Sequence, residues 1–223
     1  MVLFMSKRLY CKGSGTQFIM FFALVSLTVS LMILAIFFDT FPGDQWLMVR
    51  ISSYNNPGIN FTATFFNHIG SRTGFVLSVI PLIVGFWIFG KKHYSITFTA
   101  MIFVHVLAFI LKFMIDRPRP LSILYEISSE SASFPSSHAI HSVLFFGFMG
   151  YISWPWVRSS TLRLVMALVI FIAIILVGIA RIHVGAHWPS DVLGGYAYGA
   201  VFLWILIWIS KLHLSNPNEN NSL

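Results

Sequence analysis

Phe18 to Phe38 is an apolar run of 21 residues without a charge, interrupted only by Ser26, Thr28 and Ser30. As a helix rising about 1.5 Å per residue it would cross a hydrocarbon core of roughly 30 Å. Basic residues Lys7, Arg8 and Lys12 precede it, a pattern shared with signal peptides. Such peptides carry an apolar stretch of only about 7–15 residues and a small-residue cleavage site, and no A-x-A site follows this run. The run therefore reads as an uncleaved first transmembrane helix. Five further apolar segments follow, at about Thr73 to Gly90, Tyr94 to Ile115, Ala139 to Trp154, Leu164 to Ala180 and Ser190 to Ile209. Only 9% of the residues are charged, against about 25% in a soluble domain. The predicted fold is all-α, a bundle of six transmembrane helices forming a single domain over residues 1–214. A polar, Asn-rich tail over 215–223 is expected to be disordered.

Asp39 to Arg72 is a polar and aromatic connection broken at Pro42, Gly43, Pro57 and Gly58. Gln45 to Tyr54 and Phe61 to Ile69 are expected as short interfacial helices, with Trp46 as an anchor. Pro81 is expected to kink the second span. Trp154-Pro155-Trp156 has the look of an aromatic belt.

Six spans put both termini on one side. That side carries Lys7, Arg8, Lys12, Lys91, Lys92, Arg158, Arg163 and Lys211, eight basic residues against the single acid Glu219. The opposite side has six of each sign. Lys and Arg accumulate in cytoplasmic loops, so the termini are expected in the cytoplasm and the remaining polar stretches at the outer membrane face. The net charge of +7 follows from this topology. It is scattered, without a basic stripe, so nucleic acid is not an expected partner. The lone Cys11 excludes an internal disulfide, and no phosphate-binding glycine loop or Cys/His zinc spacing occurs.

Three polar islands lie on the outer side. The first runs from Lys112 to Pro120 and holds the double Arg-Pro. Pro118 and Pro120 stiffen the exit from the third span, which suits Arg119 to a fixed task beyond snorkelling. Arginine offers a planar fork to phosphate oxygens and lysine a point charge. The second is Ser133-Phe-Pro-Ser-Ser-His138, entering the fourth span. A helix N-terminus is an anion site, and Ser136 and Ser137 are expected to aim hydroxyls and amides at one oxyanion beside His138. The third is Ala180 to Asp191. His187 and Asp191 are four apart with Pro189 at a helix start, so the carboxylate can orient one imidazole nitrogen and leave the other free to attack. Arg181 would complete a clamp with Arg119 and Lys112. His183 could face the same pocket. His141 is read as a packing residue and His105 as making an interhelical hydrogen bond.

Together the islands resemble the three-part signature of the type 2 phosphatidic acid phosphatase superfamily. Lys112, Arg119 and Pro120 match K-x-x-x-x-x-x-R-P. Pro135, Ser136 and His138 match P-S-G-H, with Ser137 at the glycine. Arg181, His187 and Asp191 match S-R-x-x-x-x-x-H-x-x-x-D, with Ala180 at the serine. The resemblance implies a six-helix membrane enzyme without metal or cofactor that hydrolyses a lipid phosphate or diphosphate. It implies His187 as nucleophile, Asp191 as its orienting acid and His138 as proton donor to the leaving oxygen. Lys112, Arg119, Arg181, Ser136 and Ser137 would hold the phosphoryl oxygens. Undecaprenyl diphosphate in a bacterial inner membrane is the expected substrate. Phosphatidylglycerol phosphate, phosphatidic acid and lipid A phosphates are alternatives, as is transfer of the phosphoryl group to a second lipid. A transporter or anion-binding protein is the non-enzymatic alternative. It would place charges at the bilayer midplane of repeated halves, and no repeat is visible.

Overall fold

The computed structural model describes residues 14–54, 56–120 and 132–215. The basic N-terminal segment, Cys11, residues 121–131 and the tail over 216–223 lie outside them. Among the described residues all regular structure is helical: α1 Ser14–Phe37, α2 Asp44–Ser52, α3 Pro57–Ile69, α4 Arg72–Ile88, α5 Lys92–Ile115, α6 Ser137–Ser153, a 3-10 turn at Trp154–Trp156, α7 Ser160–His183 and α8 Pro189–Ser215. The protein is an all-α, membrane-associated bundle.

Four of these helices, α1, α5, α7 and α8, are long and apolar enough to cross a membrane. A fifth span arises if α3 and α4, bent by 48° to each other, count as one. The expectation of six rested on hydropathy. Length explains the difference: α4 and α6 have 17 residues each, or about 26 Å of helix against a core of roughly 30 Å. Pro81 lies inside α4 without ending it.

Apolar side chains on α1 and α7, such as Phe18, Phe22, Leu168 and Phe171, are exposed, as expected for faces turned to lipid. The inner faces of α5, α6 and α8 meet in a core of Phe98, Met101, Leu144, Phe148, Tyr198 and Leu206. His141 packs there against Phe75 and Phe145 and lies 3.3 Å from Ser78 Oγ. The expected interhelical bond of His105 is not formed; its Nδ1 is 2.8 Å from Met101 O of its own helix. Gly195 lets the backbone of α8 come close to the start of α6. A Cβ at Gly195 would come to 2.7 Å from Ser136 O.

The two interfacial helices expected in the first connection are α2 and α3. Both pack on α7, and α2 also reaches α8. The connection therefore folds back over the α7–α8 junction, where the third island lies.

Candidate active site

The α7–α8 junction is built by local rules. Gly185, at φ 66°, takes the left-handed turn that ends α7. Ala186 N then donates to Arg181 O, so Arg181 stays on the last helical turn while the chain reverses. Asp191 is the third residue of α8, and its Oδ2 accepts Trp188 N at 2.8 Å, the return half of a capping box. This brings the carboxylate beside His187, with Oδ2 3.6 Å from Nδ1. That is an ion-pair distance, longer than a formed hydrogen bond, and such contacts tighten when substrate is bound. Both side chains are buried.

The first two islands close around this junction. Lys112, on the last turn of α5, is buried and donates to Ala132 O and Ser133 O, each at 3.1 Å. Arg119 is half-buried and donates to Ala186 O at 3.5 Å, next to His187. Ser136 is the N-cap of α6, yet its side chain makes no capping bond, and its buried Oγ has no partner. The buried Nε2 of His138 also has none. Both atoms are therefore available to a ligand. His138 is packed so closely under Gly70 that a Cβ there would stand 2.6 Å from the ring.

Electrostatics tie the three islands into one site. Burial pushes His187 well below its ordinary value of 6.5, and Lys112, Arg181 and Arg119, in that order, push it further. A backbone hydrogen bond to Ser133 acts the other way. The imidazole is thus neutral at pH 7, with a lone pair to offer. Burial also lowers the Arg119 guanidinium, opposed by Asp191. His138 lies near enough to feel the charges of Arg181, His187 and Lys112.

Three readings from sequence need correction or completion. Ser136 N does not point at an anion; it donates to Asp191 O at 3.0 Å and joins the second island to the third. The free amides are those of the first turn of α6, starting at Ser137, since the intrahelical ladder begins with Ile140 N on Ser136 O. His183 turns away from the pocket, with Nδ1 3.2 Å from Ile51 O and Nε2 3.2 Å from Asn60 Oδ1. Sequence reasoning missed Asn67, whose Oδ1 accepts from Arg181 Nη1. It also missed Asp44, and it left Arg117 without a role. Arg117 donates to Asp191 Oδ1 at 2.5 Å, to Ser190 Oγ at 2.9 Å and to Asp44 Oδ2 at 3.0 Å. The available signal was an aspartate beside a breaker, Gly43-Asp44, in the polar and aromatic connection. Among the described residues no three His, Cys, Asp or Glu side chains form a group able to hold a metal ion.

A helical membrane bundle with cations, two histidines and helix amides around one buried carboxylate defines a class of proteins that handle anionic lipid headgroups. A family model described as PAP2 superfamily matches residues 93–214, so the chain belongs to the PAP2 superfamily of integral-membrane lipid phosphatases. Phosphatidylglycerophosphatase B of Bacillus subtilis is 27% identical over 153 residues, covering 67% of this chain and 74% of that protein. YbjG of Escherichia coli, provisionally named an undecaprenyl-diphosphatase, is 34% identical over 88 residues, covering 39% of this chain and 40% of its own length. The crystal structure of a PAP2-type phosphatidylglycerolphosphate phosphatase from Bacillus subtilis superposes with a TM-score of 0.71 at 23% identity, covering 85% of this chain and 96% of that one. That likeness establishes the fold. These relatives place the chain among multi-pass proteins of the bacterial inner membrane.

Proposed function

We propose that this protein hydrolyses the terminal phosphate of a membrane lipid through a phosphohistidine on His187. The observation that carries the reading is the neutral, buried His187, with Asp191 Oδ2 3.6 Å from its Nδ1 and three cations nearby. Nε2 attacks phosphorus while the bond from phosphorus to the lipid oxygen breaks. His138, which takes up a proton from solvent as the anionic headgroup enters, gives that proton to the leaving oxygen. Water then attacks the phosphohistidine, His138 takes a proton from the water, and inorganic phosphate leaves. Lys112, Arg119, Arg181, Ser136 Oγ and the Ser137 amide hold the phosphoryl oxygens, where charge grows in the transition state. None of these steps calls on a metal or cofactor.

The substrate we assign is undecaprenyl diphosphate, giving undecaprenyl phosphate. Three cations suit the higher charge of a diphosphate, and the resemblance to YbjG points the same way. Phosphatidylglycerol phosphate is the second reading, favoured by the longer match to phosphatidylglycerophosphatase B. Phosphatidic acid, lipid A phosphates and transfer to a second lipid remain tests of specificity. We further assign six spans in a single domain over residues 1–214, with cytoplasmic termini and the site on the outer face. The charge count supports this, α4 and α6 being short spans. A reporter fused after Leu223 should read cytoplasmic.

The deciding experiment offers the lipids separately to detergent-purified protein in excess EDTA and follows phosphate release. Turnover of undecaprenyl diphosphate is expected, and its loss in His187→Ala. No release from any lipid would overturn the reading, and full turnover in His187→Ala would overturn the mechanism.

A further inference from the structure

The two oxygens of Asp191 have different partners. Oδ2 faces Trp188 N and His187. Oδ1 is held by Arg117 at 2.5 Å. Arg117 is buried, and each of its three guanidinium nitrogens donates a hydrogen bond. Nη1 reaches Asp191 Oδ1 and Ser190 Oγ, Nη2 reaches Asp44 Oδ2, and Nε donates to Asp39 O at 3.0 Å. One face lies over the Phe41 ring, 4.7 Å from its centroid. Asp44 completes the frame. Its Oδ1 accepts Ser190 N at 2.9 Å, and its Oδ2 accepts Ser190 Oγ at 2.5 Å and Phe41 N at 2.8 Å.

We infer that Arg117 and Asp44 are positioning residues for His187, holding the Asp191 carboxylate by one oxygen so that the other stays on the imidazole. This rests on the phosphatase reading above. A carboxylate held only by its own helix turn could rotate about its last bond. A planar fork bonded to Oδ1 and braced on Asp44 and Ser190 removes that freedom. Arg117 touches none of the groups assigned to the phosphate, so its effect passes through Asp191. Asp44 is the first residue of α2 and lies upstream of the matched residues 93–214. The connection over the junction thus supplies part of the frame that aims the nucleophile.

The test uses the full chain in detergent, with Arg117→Lys and Asp44→Asn. Lysine can meet one carboxylate but not both with a planar fork. Asparagine keeps the shape of Asp44 and loses its charge. The expected result is a fall in kcat of about 10- to 100-fold in Arg117→Lys, the scale of a misplaced reacting group, and a smaller fall in Asp44→Asn. KM and inhibition by inorganic phosphate should stay at wild-type values. The double variant should fall no further than Arg117→Lys alone, because both act on one carboxylate. Wild-type kcat in both variants overturns the inference, and so does a loss confined to KM, which would make Arg117 a phosphate ligand. If Arg117→Lys does not fold, Asp44→Asn decides by its kcat alone. A wild type that releases no phosphate overturns the phosphatase reading instead, which separates the two failures.

Discussion

Two clusters of charge flank Asp191, and they are built on opposite plans. On the Oδ1 side every charged group is ion-paired: Arg117 lies between Asp44 and Asp191 and is shared by both. On the Oδ2 side Lys112 rests on backbone carbonyls and Arg181 on the amide oxygen of Asn67. Among the described residues neither forms an ion pair with a carboxylate. Burying a cation without a counter-ion is costly, so a protein that gathers Lys112 and Arg181 around the neutral His187 holds a place for an anion. A compensated cluster carries rigidity; an uncompensated one carries affinity.

Substitutions on the two sides should therefore fail in different ways. His187→Ala removes the nucleophile. Turnover is expected to fall about 10³-fold or more, with no acid-labile phosphoenzyme trapped from radiolabelled substrate. On the uncompensated side, Arg181→Gln or Lys112→Gln should lower kcat/KM by roughly 10²–10³, the loss of one transition-state donor, with little change in melting temperature. The compensated side should show the reverse balance in stability: Arg117→Met leaves two buried carboxylates without their cation. A cost of about 3–5 kcal/mol should appear as a clear drop in melting temperature, and a Lys112→Met protein that melts as low would break the comparison.

The pH dependence sharpens it further. His187 is held below its ordinary value and must be neutral to attack, so the acid limb of kcat/KM should fall below pH 6.5. Arg119→Gln removes one of the cations pushing His187 down, so protonation becomes easier and the acid limb should move to higher pH. The same depression means that the unfolded chain binds this proton first, so stability should decline as pH drops through that range. The smallest effects belong to the two departures from the family pattern. Ser137→Gly and Ala180→Ser should each change kcat/KM by less than about threefold, under 1 kcal/mol.

Much of this was legible in the chain. The apolar runs located the long helices, four of which are long and apolar enough to cross a membrane, because a helix in lipid must be apolar over its whole length. The spacing from His187 to Asp191 announced a contact because Asp191, in the first turn of a helix opened by Pro189, can reach back over the helix start. Other features were hidden. Arg117 and Arg119 carry the same chemistry two residues apart, and only burial separates the one locked between carboxylates from the one beside His187. Asn67 meets Arg181 from 114 residues away, and no local pattern records such a pair. The Ser136 amide looked available because a helix start frees its amides, but the neighbouring α8 offers it Asp191 O.

By itself the sequence determined the class: a membrane bundle with three phosphate-competent islands, since hydropathy and motif spacing are local properties of the chain. Tertiary structure decided which charges are neutralised and which are left for a substrate. Asp44 and Arg117 are 73 residues apart, and whether a buried charge finds its partner depends on how the helices pack, which residue type does not reveal.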